Sequence, residues 1–246
     1  MSIETMAGRK VALVFGGSRG IGAAAVRRLA QDGFAVAFTY VSSAGRARDL
    51  AEAIGAGGGE AIAIEADSAD PAAIRSAVQR TVDRLGPIAV VVVNAGVFRM
   101  NEIEAVSLDE LDLMLAVNVR GVFLSIQAAV PHMSVGGRVV TIGSNVAIRT
   151  GFAGSSVYQL TKAAVAALVK GVALDLAPRR ITVNNIQPGP TDTDINAGAI
   201  DMLSGMSPLK RVAAPEEVAG LISYLVREEA GYMTGASLTI DGGFTL

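Results

Sequence analysis

Cysteine and tryptophan are absent from the 246 residues, and histidine occurs once, at His132. The first absence excludes disulfides and thiol nucleophiles. A lone histidine with no partner at ligand spacing gives no metal centre, and His132, which follows Pro131 at the end of a helical stretch, reads as a surface or capping residue. Aromatic residues make up only 4% against 51% hydrophobic residues, so Ala, Val, Leu and Ile must build the core. That composition suits helices packed closely on a sheet. Lys and Arg number 21 and Asp and Glu 23, for a net charge of -2 and a pI near 5.5. No basic stripe is present for a nucleic acid. The longest apolar runs, such as Ala163–Val169, fall far short of a membrane span, and residues 1–10 lack the basic start and apolar core of a leader. The chain is expected to be cytoplasmic, with no membrane or nucleic-acid partner. No linker divides it, so residues 1–246 are expected to form a single domain.

The stretch Val11–Gly22 organises the rest. Val11–Phe15 is a short apolar run of strand type, and the glycines that follow break it. Ile21, Ala25 and Leu29 then recur at helical spacing, and Gly33 supplies a left-handed stop. A glycine turn between a strand's carboxyl end and a helix's amino end exposes free amides to an anion and lets a pyrophosphate approach the backbone. A glycine cluster alone would be an ordinary tight turn. Its strand-before, helix-after setting favours the nucleotide reading.

Strands and helices alternate from there. Strands are expected at Phe34–Val41, Ala61–Ala66, Ile88–Val93, Arg138–Ile142, Ile181–Ile186 and Ser237–Ile240. Helices are expected at Ala44–Ile54, Asp70–Leu85, from Ser107 to about Val130, Ser155–Ala177 and Glu216–Val226. Asp70 with Pro71, and Ser107 with Glu110, are start signals. Ile88–Val93, apolar on both faces, belongs inside a parallel sheet. Seven strands and six helices in this order predict an α/β, Rossmann-type, doubly wound parallel sheet flanked by helices.

The end of strand two bears on which dinucleotide binds. An NAD site places an acid about 20 residues beyond the glycines, but Thr39, Tyr40, Val41, Ser42 and Ser43 include none. Arg19 lies in the turn, with Ser42, Ser43 and Arg46 within reach of the same pocket. Hydroxyls and guanidinium groups suit the 2′-phosphate of NADP(H). The plainer alternative is that Arg19 is a solvated turn residue.

Tyr158 and Lys162 are four apart on a helix and share a face, with Cβ atoms about 5–6 Å apart. A cation beside a tyrosine favours the phenolate, which brings the phenol towards a working range for acid-base chemistry. Such pairs are common on amphipathic helices. Here Ser144 sits at the carboxyl end of strand five, where doubly wound sheets place their ligands.

Taken together, these motifs resemble the short-chain dehydrogenase/reductase family over nearly all of residues 8–246. Gly16, Gly20 and Gly22 match its glycine turn, with Phe15 where Thr is usual. Val93-Asn94-Ala95-Gly96 matches its Asn-Asn-Ala-Gly motif, and Pro188-Gly189 with Thr191 and Thr193 matches its nicotinamide-side motif. The resemblance implies a catalytic set of Asn118, Ser144, Tyr158 and Lys162. It also implies a cofactor site of Gly16, Ser18, Arg19, Gly20, Ile21, Gly22, Tyr40, Ser42, Ser43, Asp67, Ser68, Asn94, Ala95, Gly96, Tyr158, Lys162, Pro188, Gly189, Thr191 and Thr193. The activity implied is hydride transfer between NADP(H) and a carbonyl or alcohol: Ser144 binds the substrate oxygen, Tyr158 passes the proton, Lys162 lowers the tyrosine pKa and holds the ribose, and Asn118 positions a water. Phe15 and Val93 replace residues that brace the turn and the fourth strand, so local rigidity is expected to suffer. The Ser144 to Tyr158 spacing is one residue longer than usual.

A ketone or a 3-oxoacyl thioester is the expected substrate, under a lid at about 190–214 whose Met202, Leu203, Met206 and Leu209 suggest an apolar wall. No Lys or Arg occurs between Arg120 and Arg138, and Leu174 stands where reductases of carrier-bound acyl groups usually have Arg, which lowers the thioester reading. The alternative is a nucleotide-binding regulator of the same fold, a cyclic-dinucleotide binder in biofilm dispersal. Leu111–Ile126 and Ala163–Leu176 are apolar or small nearly all round, so a homotetramer is expected to cover them.

Overall fold

The computed structural model describes residues 9–246. Each apolar run becomes a strand of one parallel sheet: β1 (Val11–Phe15), β2 (Ala35–Tyr40), β3 (Glu60–Glu65), β4 (Ile88–Val93), β5 (Met133–Ile142), β6 (Thr182–Pro188) and β7 (Ser237–Ile240). The strand order is β3-β2-β1-β4-β5-β6-β7. Alternation along β1 divides the core, since Leu13 and Phe15 face one layer while Ala12 and Val14 face the other. Helices α1 (Gly20–Gln31), α2 (Ala44–Ala56) and α8 (Pro215–Leu225) cover the second of these faces through Val26, Leu29, Leu50 and Ile222. Helices α3 (Pro71–Leu85), α5 (Val122–Ala129) and α6 (Ser156–Leu176) cover the first through Ile74, Val78, Ile126 and Val169. Each such buried aliphatic side chain contributes about 1.5–3 kcal/mol.

The helix starts follow the sequence signals. Asp70 accepts a hydrogen bond from Ala72 N at 2.8 Å ahead of Pro71. Ser107 and Glu110 close a capping box on α4 (Leu108–Leu115).

Three expectations need correction. The single helix from Ser107 to Val130 is instead α4 and α5 joined by a π turn, Ala116–Gly121. The lid segment, where no helix is among those expected, holds a short one, α7 (Ile200–Met206), so the helices exceed six. β5 starts at Met133, not Arg138, because Gly136 and Gly137 mark a bulge rather than an end. Gly136 has φ +79, the β4–β5 register shifts there, and a Cβ on Gly137 would stand 3.2 Å from Ala89 O. The run Leu108–His132 is the one helical stretch among the described residues long and apolar enough to cross a membrane. Here the π turn interrupts it, and Val122, Ile126 and Ala129 lie in the core.

Candidate active site

Strand order reverses between β1 and β4, and a crevice opens at their carboxyl ends. Glycine lets the loops on its two sides nest. Gly16 has φ +77, and a Cβ there would lie 2.7 Å from Ala95 Cα, while one on Gly22 would lie 2.0 Å from Gly16 O. Phe15 O accepts from Asn94 N and Ala95 N at 3.0 and 2.8 Å. Thr39 Oγ1 accepts from Gly16 N at 2.9 Å, and Asn94 Nδ2 donates to Gly16 O at 2.7 Å. Other groups therefore make hydrogen bonds to the turn where Phe15 and Val93 offer none. Both are buried, and Thr39 and Asn94 supply the bracing.

Helix α1 begins with no side-chain cap and no acid in its first turn. Its leading amides are left for an anion, and the residues present fit a pyrophosphate there. They also fit a 2′-phosphate, since the arginines Arg19 and Arg46 stand near the turn and the end of β2 carries no acid.

Ser144 follows the carboxyl end of β5 and caps the turn Asn145–Ala147, its Oγ accepting from Val146 N at 3.3 Å. That turn and the loop to Ser155 absorb the longer spacing, and Ser144 and Tyr158 still line the same cavity. Phe98 packs edge-on against the Tyr158 ring, with centroids 4.8 Å apart at 77°. Lys162, one turn further along α6, is buried, and its Nζ donates to Ile142 O at 2.9 Å. Burial pushes the Tyr158 phenol up to about 12, with Ser144 drawing it back, and pushes Lys162 down to about 8. The expectation that Lys162 lowers the tyrosine is not met in this conformation. Desolvation dominates, and the ammonium is bonded to a backbone carbonyl.

Asn118 lies in the π turn, fully buried. Its Oδ1 accepts from Val97 N and its Nδ2 donates to Val97 O, both at 2.8 Å, and Nδ2 also donates to Thr161 Oγ1 at 3.2 Å. Thr161 Oγ1 in turn donates to Tyr158 O at 2.8 Å. The amide thus ties the loop after β4 to α6. Gly96 keeps the space beside it open, since a Cβ there would lie 3.4 Å from Asn118 Oδ1 and 3.6 Å from Lys162 Nζ.

A cavity of about 350 Å³ brings together Ile21, Asn94, Gly96, Ser144, Tyr158, Lys162, Pro188, Gly189, Thr191 and Thr193. Phe98, Met100, Phe152, Met202, Leu203 and Phe244 supply apolar lining to the same cavity. A second cavity, about 660 Å³, includes Ser18, Arg19, Gly20, Arg27, Arg46 and Asp194. Tyr40 at the end of β2, Ser42 and Ser43 just after it, and Asp67 and Ser68 after β3 line neither cavity. One oxygen of Asp67 is already used by Ala69 N, at 2.8 Å. Of the expected lid wall, Met202 and Leu203 line the cavity, whereas Met206 and Leu209 do not and are exposed. The sequence reading missed Phe98, Phe152 and Phe244, which arrive from three separate loops. It also missed Asp194, whose only sequence signal was its place next to Thr193.

A family model described as enoyl-(acyl carrier protein) reductase matches residues 16–245. The chain is 41% identical to the cyclic-di-GMP-binding biofilm dispersal mediator protein of Escherichia coli K12, over 96% of this chain and 97% of that protein. The solved short-chain dehydrogenase/reductase from Serratia marcescens BCRC 10948 shares 52% identity at a TM-score of 0.94, covering 97% of this chain and 99% of its own. A short chain dehydrogenase from Burkholderia cenocepacia J2315, solved in complex with NADP, shares 46% identity at a TM-score of 0.94, over 96% and 98% of the two chains. The chain belongs to the short-chain dehydrogenase/reductase family of oxidoreductases.

Proposed function

We propose that the protein is an NADP(H)-dependent oxidoreductase that interconverts a carbonyl and an alcohol on a compact, mainly apolar ketone substrate. The observation that carries this reading is the single cavity that Ser144, Tyr158 and Lys162 line together with Pro188, Gly189 and the aromatic side chains of Phe98, Phe152 and Phe244. The first-turn amides of α1 hold the pyrophosphate, Asp67 the adenine, and Arg19 the 2′-phosphate, while Thr191 and Thr193 flank the nicotinamide end. When bound, NADPH supplies the hydride. Ser144 donates a hydrogen bond to the substrate oxygen, and Tyr158 Oη gives it a proton in the reducing direction. Lys162 holds the ribose, its Nζ anchored on Ile142 O. Asn118 keeps Tyr158 and the Gly96 loop in register. The segment 190–214 is the lid.

Leu113, Phe123, Leu160 and Leu174 are exposed on α4, α5 and α6. They form the self-association face of a homotetramer in the cytoplasm. The same apolar surface argues against docking of an acidic carrier, and so against a carrier-bound thioester. The name of the E. coli relative supports a second reading, a regulator that binds a cyclic dinucleotide. Against binding alone stands the filled set of Asn118, Ser144, Tyr158 and Lys162, which a sensor does not need. Assaying ketones, quinones, sugars and acyl thioesters with NADPH separates the two readings, and turnover of a compact ketone is the expected result.

A further inference from the structure

The two arginines assigned to the cofactor's 2′-phosphate side already have an anion. Arg19 Nη1 and Arg46 Nη1 both reach Asp194 Oδ2, at 3.2 and 2.8 Å. These residues come from three separate elements: the glycine turn, the start of α2 and the root of the lid. The lid root is seated on that turn, since a Cβ on Gly20 would meet Thr193 Cγ2 at 3.0 Å. Asn196 Nδ2 donates to Thr191 O at 2.8 Å and fixes the backbone on either side of Asp194. Arg19, Arg46 and Asp194 are each about half exposed or more. Ion pairs this exposed are weak and exchangeable. A phosphate, with up to two charges and three acceptor oxygens, outcompetes one carboxylate for a guanidinium.

We propose that Asp194 is a specificity-determining residue that stands in for the cofactor's 2′-phosphate: it occupies Arg19 and Arg46 in the cofactor-free protein and yields them to NADP(H). This rests on the NADP(H) reading and deepens it. A 2′-hydroxyl cannot displace the carboxylate, so NADH binds with the Asp194 contacts intact. NADPH breaks them and frees the lid root. Asp194 therefore opposes NADPH binding and leaves NADH binding alone, and it links the adenosine end of the site to the lid over the substrate.

The test is fluorescence titration of NADPH and NADH against wild type, Asp194→Asn, Asp194→Glu and Arg19→Ala. Asp194→Asn is expected to bind NADPH about two- to tenfold more tightly, the scale of losing two exposed ion pairs, with NADH within about twofold of wild type. Asp194→Glu, which keeps the charge, is expected to stay within about twofold of wild type for both cofactors. NADPH binding to Asp194→Asn that is unchanged, or weaker, or shifted equally with NADH, overturns the proposal. Arg19→Ala keeps its failure separate from that of the cofactor reading. If this variant narrows the NADPH preference while Asp194→Asn changes nothing, the cofactor reading stands and the Asp194 role falls. If wild type shows no NADPH preference, both fall.

Discussion

Lys162 Nζ lies 5.5 Å from the centre of the Tyr158 ring and donates its hydrogen bond to Ile142 O instead of the phenol. The two groups are therefore tuned apart by burial, the lysine down to about 8 and the tyrosine up to about 12. A charged lysine held in this pocket opposes folding. Its folded pKa lies below the unfolded value, so between about pH 8 and the unfolded pKa near 10.4 the unfolded chain binds more protons. Stability then rises with pH.

The first prediction follows from that sign. In the cofactor-free protein, Lys162 should contribute a stability gain of up to about 2–3 kcal/mol between pH 8 and 10, and Lys162→Met should abolish that part of the slope. Denaturant midpoints measured at intervals from pH 7.5 to 9.5 check it. Tyr158 acts in the opposite direction only above its unfolded pKa near 10 and leaves this window clear.

Thr39→Val should destabilise the protein and loosen the cofactor site together. The Gly16 N–H now bonds Thr39 Oγ1 at 2.9 Å, and valine leaves it without that acceptor at about 1–3 kcal/mol. Thermal unfolding should drop by several degrees, about 2–4 °C per kcal/mol for a domain of this size. NADPH titration should show weaker binding than in wild type.

Much of this was legible in the residues themselves. Ile88–Val93 has no polar side chain on either face, and only a buried parallel strand accommodates that, so β4 was located to the residue. Asp70-Pro71 and Ser107 with Glu110 marked helix starts by local chemistry that folding does not override. Tyr158, Lys162 and Ser144 were legible through helical spacing and the rule that ligands meet strand carboxyl ends. The π turn at Ala116–Gly121 gives no periodic signal, because one extra residue per turn hides in an otherwise helical pattern. Gly136-Gly137 lies just ahead of the strand start expected at Arg138 and proves to be a bulge within the strand, a distinction made only by the neighbouring strand. Phe98, Phe152 and Phe244 are far apart in the chain, and nothing local shows that they meet around one cavity. Asp194 likewise acquires meaning only when Arg19 and Arg46 arrive beside it.

Leu174→Lys should split the assembly. Leu174 is 77% exposed on α6, and a charge placed in an apolar interface loses its solvation on association. Light scattering of wild type at micromolar concentration should give the mass of four copies of the 25.1 kDa chain, and the variant a smaller species. A wild-type monomer contradicts the tetramer.

The central claim is that Tyr158 passes a proton to a substrate oxygen, and Tyr158→Phe tests it most directly. The substitution removes the hydroxyl but keeps the ring that Phe98 packs against, so NADPH should still bind. A positioned acid contributes about 10²–10⁴-fold, so kcat on the best ketone of the panel, followed by NADPH consumption, should fall by at least about 100-fold. Near-normal turnover by Tyr158→Phe with NADPH bound would contradict the account. So would a wild-type protein that reduces nothing in the panel yet binds cyclic di-GMP tightly.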